Sequence, residues 1–110
     1  MTKEMYFNSL RKVSEDIVNL AEVKGSQYWD NDPFQAFREL EEMTGVPKEG
    51  ALMLLASKHW GALCKVAMGS RTENPALTQE RIKDVILYLL ILHQMKNVQV
   101  PRESEEWKQD

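Results

Sequence analysis

The sequence predicts an all-α protein, a compact bundle of four helices forming a single domain over residues 1–110. Three observations carry that expectation. Apolar residues recur at three- and four-residue spacing through most of the chain, the period of a helix with one buried face. No stretch alternates apolar and polar as a half-buried strand does, and no internal repeat is present. Start signals at Thr2, Asp32-Pro33, Pro47 and Thr78, with glycines at 25, 45 and 69, divide the chain into four such segments.

The first helix is expected over about residues 3 to 24, with Thr2 as N-cap and Gly25 at its end. Tyr6, Phe7, Leu10, Val13, Ile17, Leu20 and Ala21 form its buried face. The second opens at Asp32-Pro33, where a carboxylate can take a free N–H of the first turn and proline loses nothing at the first helical position. It carries Phe34, Phe37, Leu40 and Met43 and stops at Gly45. The third runs from Pro47 to Met68 and stops at Gly69. Ala51, Leu52, Met53, Leu54, Leu55, Ala56, Trp60, Ala62, Leu63, Val66 and Ala67 cover most of its circumference, leaving a strip of Ser57, Lys58, Gly61, Cys64 and Lys65. A helix apolar nearly all round sits in the middle of something. Four short helices rarely enclose one of their own number, so a homo-oligomer is expected to complete the bundle. The fourth helix follows the loop after Gly69, takes Thr78 as N-cap and ends near Lys96; residues 97–110 are expected to form an extended or frayed tail.

Composition narrows the classes of function. A formal charge of −3 leaves no electrostatic footprint for nucleic acid, which is therefore not an expected partner. The lone Cys64 excludes an intramolecular disulfide and Cys-rich zinc sites, and it suits a reducing cytoplasm. The N-terminus has no apolar core of a signal peptide, and Lys58, His59 and Lys65 break the longest apolar stretch. A cytoplasmic protein without a membrane partner is the expectation.

Candidate chemistry begins with carboxylates. Glu39 and Glu42 are three apart on the second helix, and Glu80 and Asp84 four apart on the fourth. Those spacings put each pair on one helical face, and carboxylates from two facing helices can hold a hard cation such as Mg²⁺. The bland alternative for Glu39 and Glu42 is a wet face, since they lie with Gln35 and Arg38 opposite Phe34, Phe37 and Leu40. For Glu80 it is a favourable charge at a helix N-terminus. Asp84 fits neither: it shares an arc with Leu77, Leu87, Tyr88 and Ile91. It is expected to be partly buried and partnered, because an unpartnered buried charge is too costly, with Lys58 the preferred protein partner. Lys58 and Lys65 could take phosphate oxygens or simply form the solvent strip of their helix. Lys24, Tyr28 and Trp29 fall in a predicted loop where aromatics could stack on a base or cover the bundle's open end. His59 reads as a core-edge histidine, and His93 has no partner at zinc-ligand spacing.

The order of these features resembles a known group. Lys24 and Tyr28, Pro33 and Phe37, then Lys58, then Glu80, Asp84 and Tyr88 look like the MazG-like all-α nucleoside triphosphate pyrophosphohydrolases and the small phage-encoded domains associated with nucleotide modification. The resemblance spans about residues 20 to 95. It departs in two respects: the family's second acidic motif is E-x-x-D where this chain has E-x-x-x-D, and the gap between Glu42 and Glu80 is long. It implies an oligomeric all-α fold, Mg²⁺ at Glu39, Glu42, Glu80 and Asp84, and a nucleotide held by Lys24, Tyr28, Lys58, Lys65 and Tyr88. A Mg²⁺-dependent (d)NTP pyrophosphohydrolase in the cytoplasm of an infected bacterium is the function so implied. The alternative is a non-enzymatic accessory or host-takeover protein that binds a nucleotide or a host protein.

Overall fold

A computed structural model of the chain describes the backbone of residues 1–28 and 32–97, and the side chains of 1–25 and 32–97. Four helices make up the fold: α1 Lys3–Tyr28, α2 Gln35–Thr44, α3 Lys48–Ala67 and α4 Pro75–Asn97. The all-α expectation holds, and the described residues contain no strand. No helix among them is long and apolar enough to cross a membrane. Trp29 and the tail beyond Asn97 lie outside the described residues.

The helix ends test the local reading. Thr2 caps α1, its Oγ1 accepting the Met5 N–H at 3.1 Å. Gly25 does not end α1, which continues to Tyr28. A glycine stops a helix where the chain turns left-handed, and among the described residues positive φ occurs only at Gly45 and Gly69. Gly25 instead sits buried inside the helix, and Tyr28 is helical rather than part of a loop. Asp32 starts α2 from a distance: its Oδ1 accepts the Phe34 N–H at 2.9 Å and its carbonyl the Gln35 N–H at 3.1 Å, so a turn precedes the helix. Gly45 ends α2 at φ 75°, its N–H bonded to the Glu41 carbonyl. Glu41 also receives the Lys48 N–H at 2.9 Å, capping the first turn of α3 across the bend. The start of α4 is a correction. Asn74 Oδ1 accepts the Ala76 N–H at 2.8 Å and Pro75 is the first helical residue, so the helix begins three residues before Thr78.

Thr78 is engaged elsewhere. Its hydroxyl donates to Glu73 Oε1 at 3.0 Å, while Arg81 Nε reaches both Glu73 oxygens at 3.1 and 3.0 Å and Arg71 lies 3.4 Å away. The Glu73 side chain is only 3% exposed. Burial pushes its carboxyl up, but the hydrogen bonds from Arg81 and Thr78 and the charges of Arg81 and Arg71 together hold it below the usual carboxylate value. A carboxyl depressed in the folded state stabilises the fold above its unfolded pKa, roughly 4.3, and that contribution is lost as the pH falls through the folded value. Melting temperature measured against pH should therefore fall on acidification below pH ~4, and Glu73→Gln should be less stable at neutral pH with a shallower acid decline. An unchanged neutral-pH melting point in that variant would show that the loop does not depend on this network.

Packing is layered rather than enclosed. α3 lies along α4, α2 packs on α3, and α1 packs on α4. Leu52 and Met95 are fully buried and form the core with Phe34 and Phe37; Tyr88, Ile91 and Leu92 pack against it. Ile17 is the buried anchor of α1. Two expected faces are open. Tyr6, Phe7 and Leu10 at the start of α1 are exposed. On α3, Met53, Leu54, Leu55 and Trp60 are exposed, so one side of the helix is left uncovered by its own chain while α2 and α4 pack against the rest.

Candidate functional site

Residues of α1, α2 and α4, with His59 of α3, line an open cleft of about 1000 Å³. Val18, Ala21, Phe34, Phe37, Leu87 and Ile91 supply apolar wall. Into it project Lys24 from α1, Asp32 and Arg38 at the start of α2, His59 from α3, and Asp84 and Tyr88 from α4. The helical period explains α4's share: at about 100° per residue, Asp84, Tyr88 and Ile91 fall on one face, which α4 turns to the cleft.

Asp84 is the centre of a charged cluster. Its side chain is 27% exposed, with Lys24 Nζ 3.8 Å from Oδ1 and His59 Nε2 3.9 Å from Oδ2. Both separations exceed hydrogen-bond length, so each carboxylate oxygen has a cationic or potentially cationic neighbour without a direct bond. The His59 ring stacks with Tyr88 at 6.3 Å between centroids, and its Nδ1 is buried with no hydrogen-bond partner among the described residues. Burial, with the Asp84 charge adding to it, raises the Tyr88 phenol, so Tyr88 is a neutral hydroxyl at physiological pH. At the α2 edge, Arg38 Nε holds Asp32 Oδ2 at 2.7 Å.

Of the residues singled out in the sequence, Lys24, Asp84 and Tyr88 meet in this cleft. Asp84 is partly buried and partnered, as its place on the wheel requires. Its partner is a correction: Lys58 is exposed and absent from the cleft, and Lys24 and His59 take its place. Adjacent residues on a helix point about 100° apart, so when His59 faces α4, Lys58 faces outward. Lys65 is likewise exposed on the outer side of α3. Tyr28 belongs to the last turn of α1, and its side chain lies outside the described set.

The other carboxylates do not join Asp84. Glu39 is exposed and accepts a hydrogen bond from Gln35 Nε2 at 3.1 Å. Glu42 borders a separate depression of about 250 Å³ with Arg38 and Glu41. Glu80 is exposed, 4.0 Å from Lys83 Nζ. Among the described residues no three His, Cys, Asp or Glu side chains gather as a metal site within the chain. The cause is the orientation of α2, whose Phe34 and Phe37 enter the core and turn Glu39 and Glu42 to solvent.

Sequence reasoning missed His59 and the Asp32–Arg38 pair as members of the site. The signal for His59 was present, since it shares the arc of Leu52, Ala56 and Ala62, the buried side of α3. For Arg38 there was none, because its use depends on how α2 is set against α1 and α4.

Fold and site together define a small helical protein with an open, apolar-walled cleft and one charged cluster in it. Comparison with protein-family models, with curated proteins and with solved structures finds no match to this chain.

Proposed function

We propose that this protein binds a nucleotide or another phosphorylated small molecule in the cleft between α1, α2 and α4, and that it works as a homo-oligomer. The observation that carries the reading is the convergence of Lys24, Asp84 and Tyr88, from opposite ends of the chain, on one apolar-walled cleft. Lys24, and the Arg38 guanidinium beyond the Nε that Asp32 takes, supply N–H donors for phosphate, and the half-buried Tyr88 ring offers an aromatic surface for a base. Asp84 lies between Lys24 and His59. The homo-oligomer is supported by the apolar side chains left open on α3, whose exposure is costly on a small chain.

The enzymatic extension is Mg²⁺-dependent (d)NTP pyrophosphohydrolysis. Within one chain Glu39, Glu42 and Glu80 do not fit a metal site with Asp84, so this extension requires carboxylates brought to Asp84 by a second copy. Calorimetric titration with nucleoside mono-, di- and triphosphates, with and without Mg²⁺, tests the binding; pyrophosphate release tests the chemistry. Micromolar binding without turnover is the result expected if the chain acts alone at each cleft. No heat from any nucleotide under either condition would remove the reading. The non-enzymatic interaction protein would then be favoured by one specific observation, the open Tyr6, Phe7 and Leu10 at the start of α1.

A further inference from the structure

The outer face of α3 has a composition that its own chain does not use. Leu54 is 65% exposed and Trp60 61% exposed, and Met68 at the end of the helix is more open still. Between them Gly61 sits in the helix interior, where glycine is unfavourable relative to alanine. A Cβ added at Gly61 would meet no atom within 4 Å, so nothing in the chain requires the missing side chain. A bare glycine on an apolar helix face suits the close approach of another backbone.

The charges say which backbone. About 100° per residue places Lys58 and Lys65 along one edge of this face, Trp60 along the other, and Ser57 and Gly61 down the middle. If two copies met with α3 antiparallel across Gly61, a two-fold axis would set like edges together and bring Lys58 beside the partner's Lys65. If they met in the parallel sense, the same symmetry would set the lysine edge of each helix against the partner's Trp60, where an ammonium over an indole face is attractive. Only the parallel sense keeps the four lysines apart, although the antiparallel sense would also bring the two Trp60 rings together.

We infer that two copies of this chain pair through the outer face of α3, their helices crossing in the parallel sense at Gly61. This rests on the homo-oligomer reading and names its surface. The face lies on the side of α3 turned away from the buried arc that carries His59, so pairing leaves the cleft accessible.

Sedimentation analysis of three forms of the full chain tests it. Wild type is expected to be dimeric at micromolar concentration. Gly61→Ala adds a methyl group that the single chain accommodates freely, so helix content is retained while the dimer dissociation constant rises by roughly tenfold or more, about 1.4 kcal/mol. Ser57→Cys with Cys64→Ser places a lone thiol one turn before the crossing, and under mild oxidation it is expected to form a covalent dimer through residue 57. A monomeric wild type would overturn both the pairing and the homo-oligomer reading. An oligomeric wild type whose dissociation constant is unmoved by Gly61→Ala would overturn the α3 face alone. Absence of the residue 57 disulfide from a dimeric double variant would overturn the parallel sense.

Discussion

Leu52→Ala is expected to lower the unfolding free energy by about 2–5 kcal/mol, the range for emptying a fully buried leucine site. Leu52 has no solvent exposure and sits among Phe34, Phe37 and Met95. Two features place the expected cost in the upper part of that range. The core is small, so few neighbours can move into the space, and α2 is held on α3 largely through the two phenylalanines that Leu52 supports. A domain of this size has about 5–15 kcal/mol in all, so the substitution removes a large fraction of it. It should also weaken ligand binding, because Phe34 and Phe37 are cleft wall. Leu54→Ala, two residues along the same helix but 65% exposed, should change the folding of the single chain by about 0.5 kcal/mol or less. Urea unfolding followed by circular dichroism compares the two in a Gly61→Ala background, where pairing is weakened and the single chain is read. Similar midpoints would mean that the core has been assigned to the wrong side of α3.

Lys24→Ala is expected to weaken nucleotide binding about ten- to a hundredfold, the loss that follows when a charged hydrogen-bond donor worth about 1.5–3 kcal/mol is removed. Asp84→Ala should also weaken binding, and by more than Glu39→Ala does. The first leaves Lys24 and His59 without the carboxylate between them, whereas Glu39 accepts a hydrogen bond from Gln35 on a wet face. Lys58→Ala should leave binding in the cleft unchanged. Stability does not confound the comparison. Lys24 and Asp84 are 3.8 Å apart and partly solvated, so their coupling contributes at most about 1 kcal/mol to folding. Calorimetric titration of the four variants provides the readout. Equal losses from Glu39→Ala and Asp84→Ala would detach binding from this cleft.

How much of the site was legible follows from what a helical wheel contains. A wheel reports which residues share a face, and on α4 it put Asp84 and Tyr88 together on a partly apolar arc, where the structure has them. On α2 it set Glu39 and Glu42 opposite the phenylalanines, and they are solvated. It does not report which helix lies opposite a face. Lys58 therefore looked like the natural partner of Asp84, when α1 delivers Lys24 instead. The four carboxylates satisfied the spacing rule on each helix separately, yet spacing within a helix places no constraint on the distance between helices.

The helix ends divide in the same way. Thr2, Gly45 and Gly69 act through bonds to their immediate neighbours, so local chemistry suffices to read them. Thr78 failed because its hydroxyl is drawn to Glu73 within a network closed by Arg81, a residue inside the following helix. Gly25 failed because a glycine is also tolerated inside a helix where packing holds the backbone helical.

What the sequence determined by itself was the class of fold, four of its helices to within a few residues, and the residues of each helix that would share a face. Those properties depend on periodicity and on hydrogen bonds a few residues long. The tertiary structure alone decided which side of α3 is left uncovered, that Lys24 and His59 rather than Lys58 flank Asp84, and that Glu39, Glu42 and Glu80 stand apart. Each of those depends on how one helix is rotated and set against another, and that is settled by burying Leu52, Met95, Phe34 and Phe37 together rather than by any local preference.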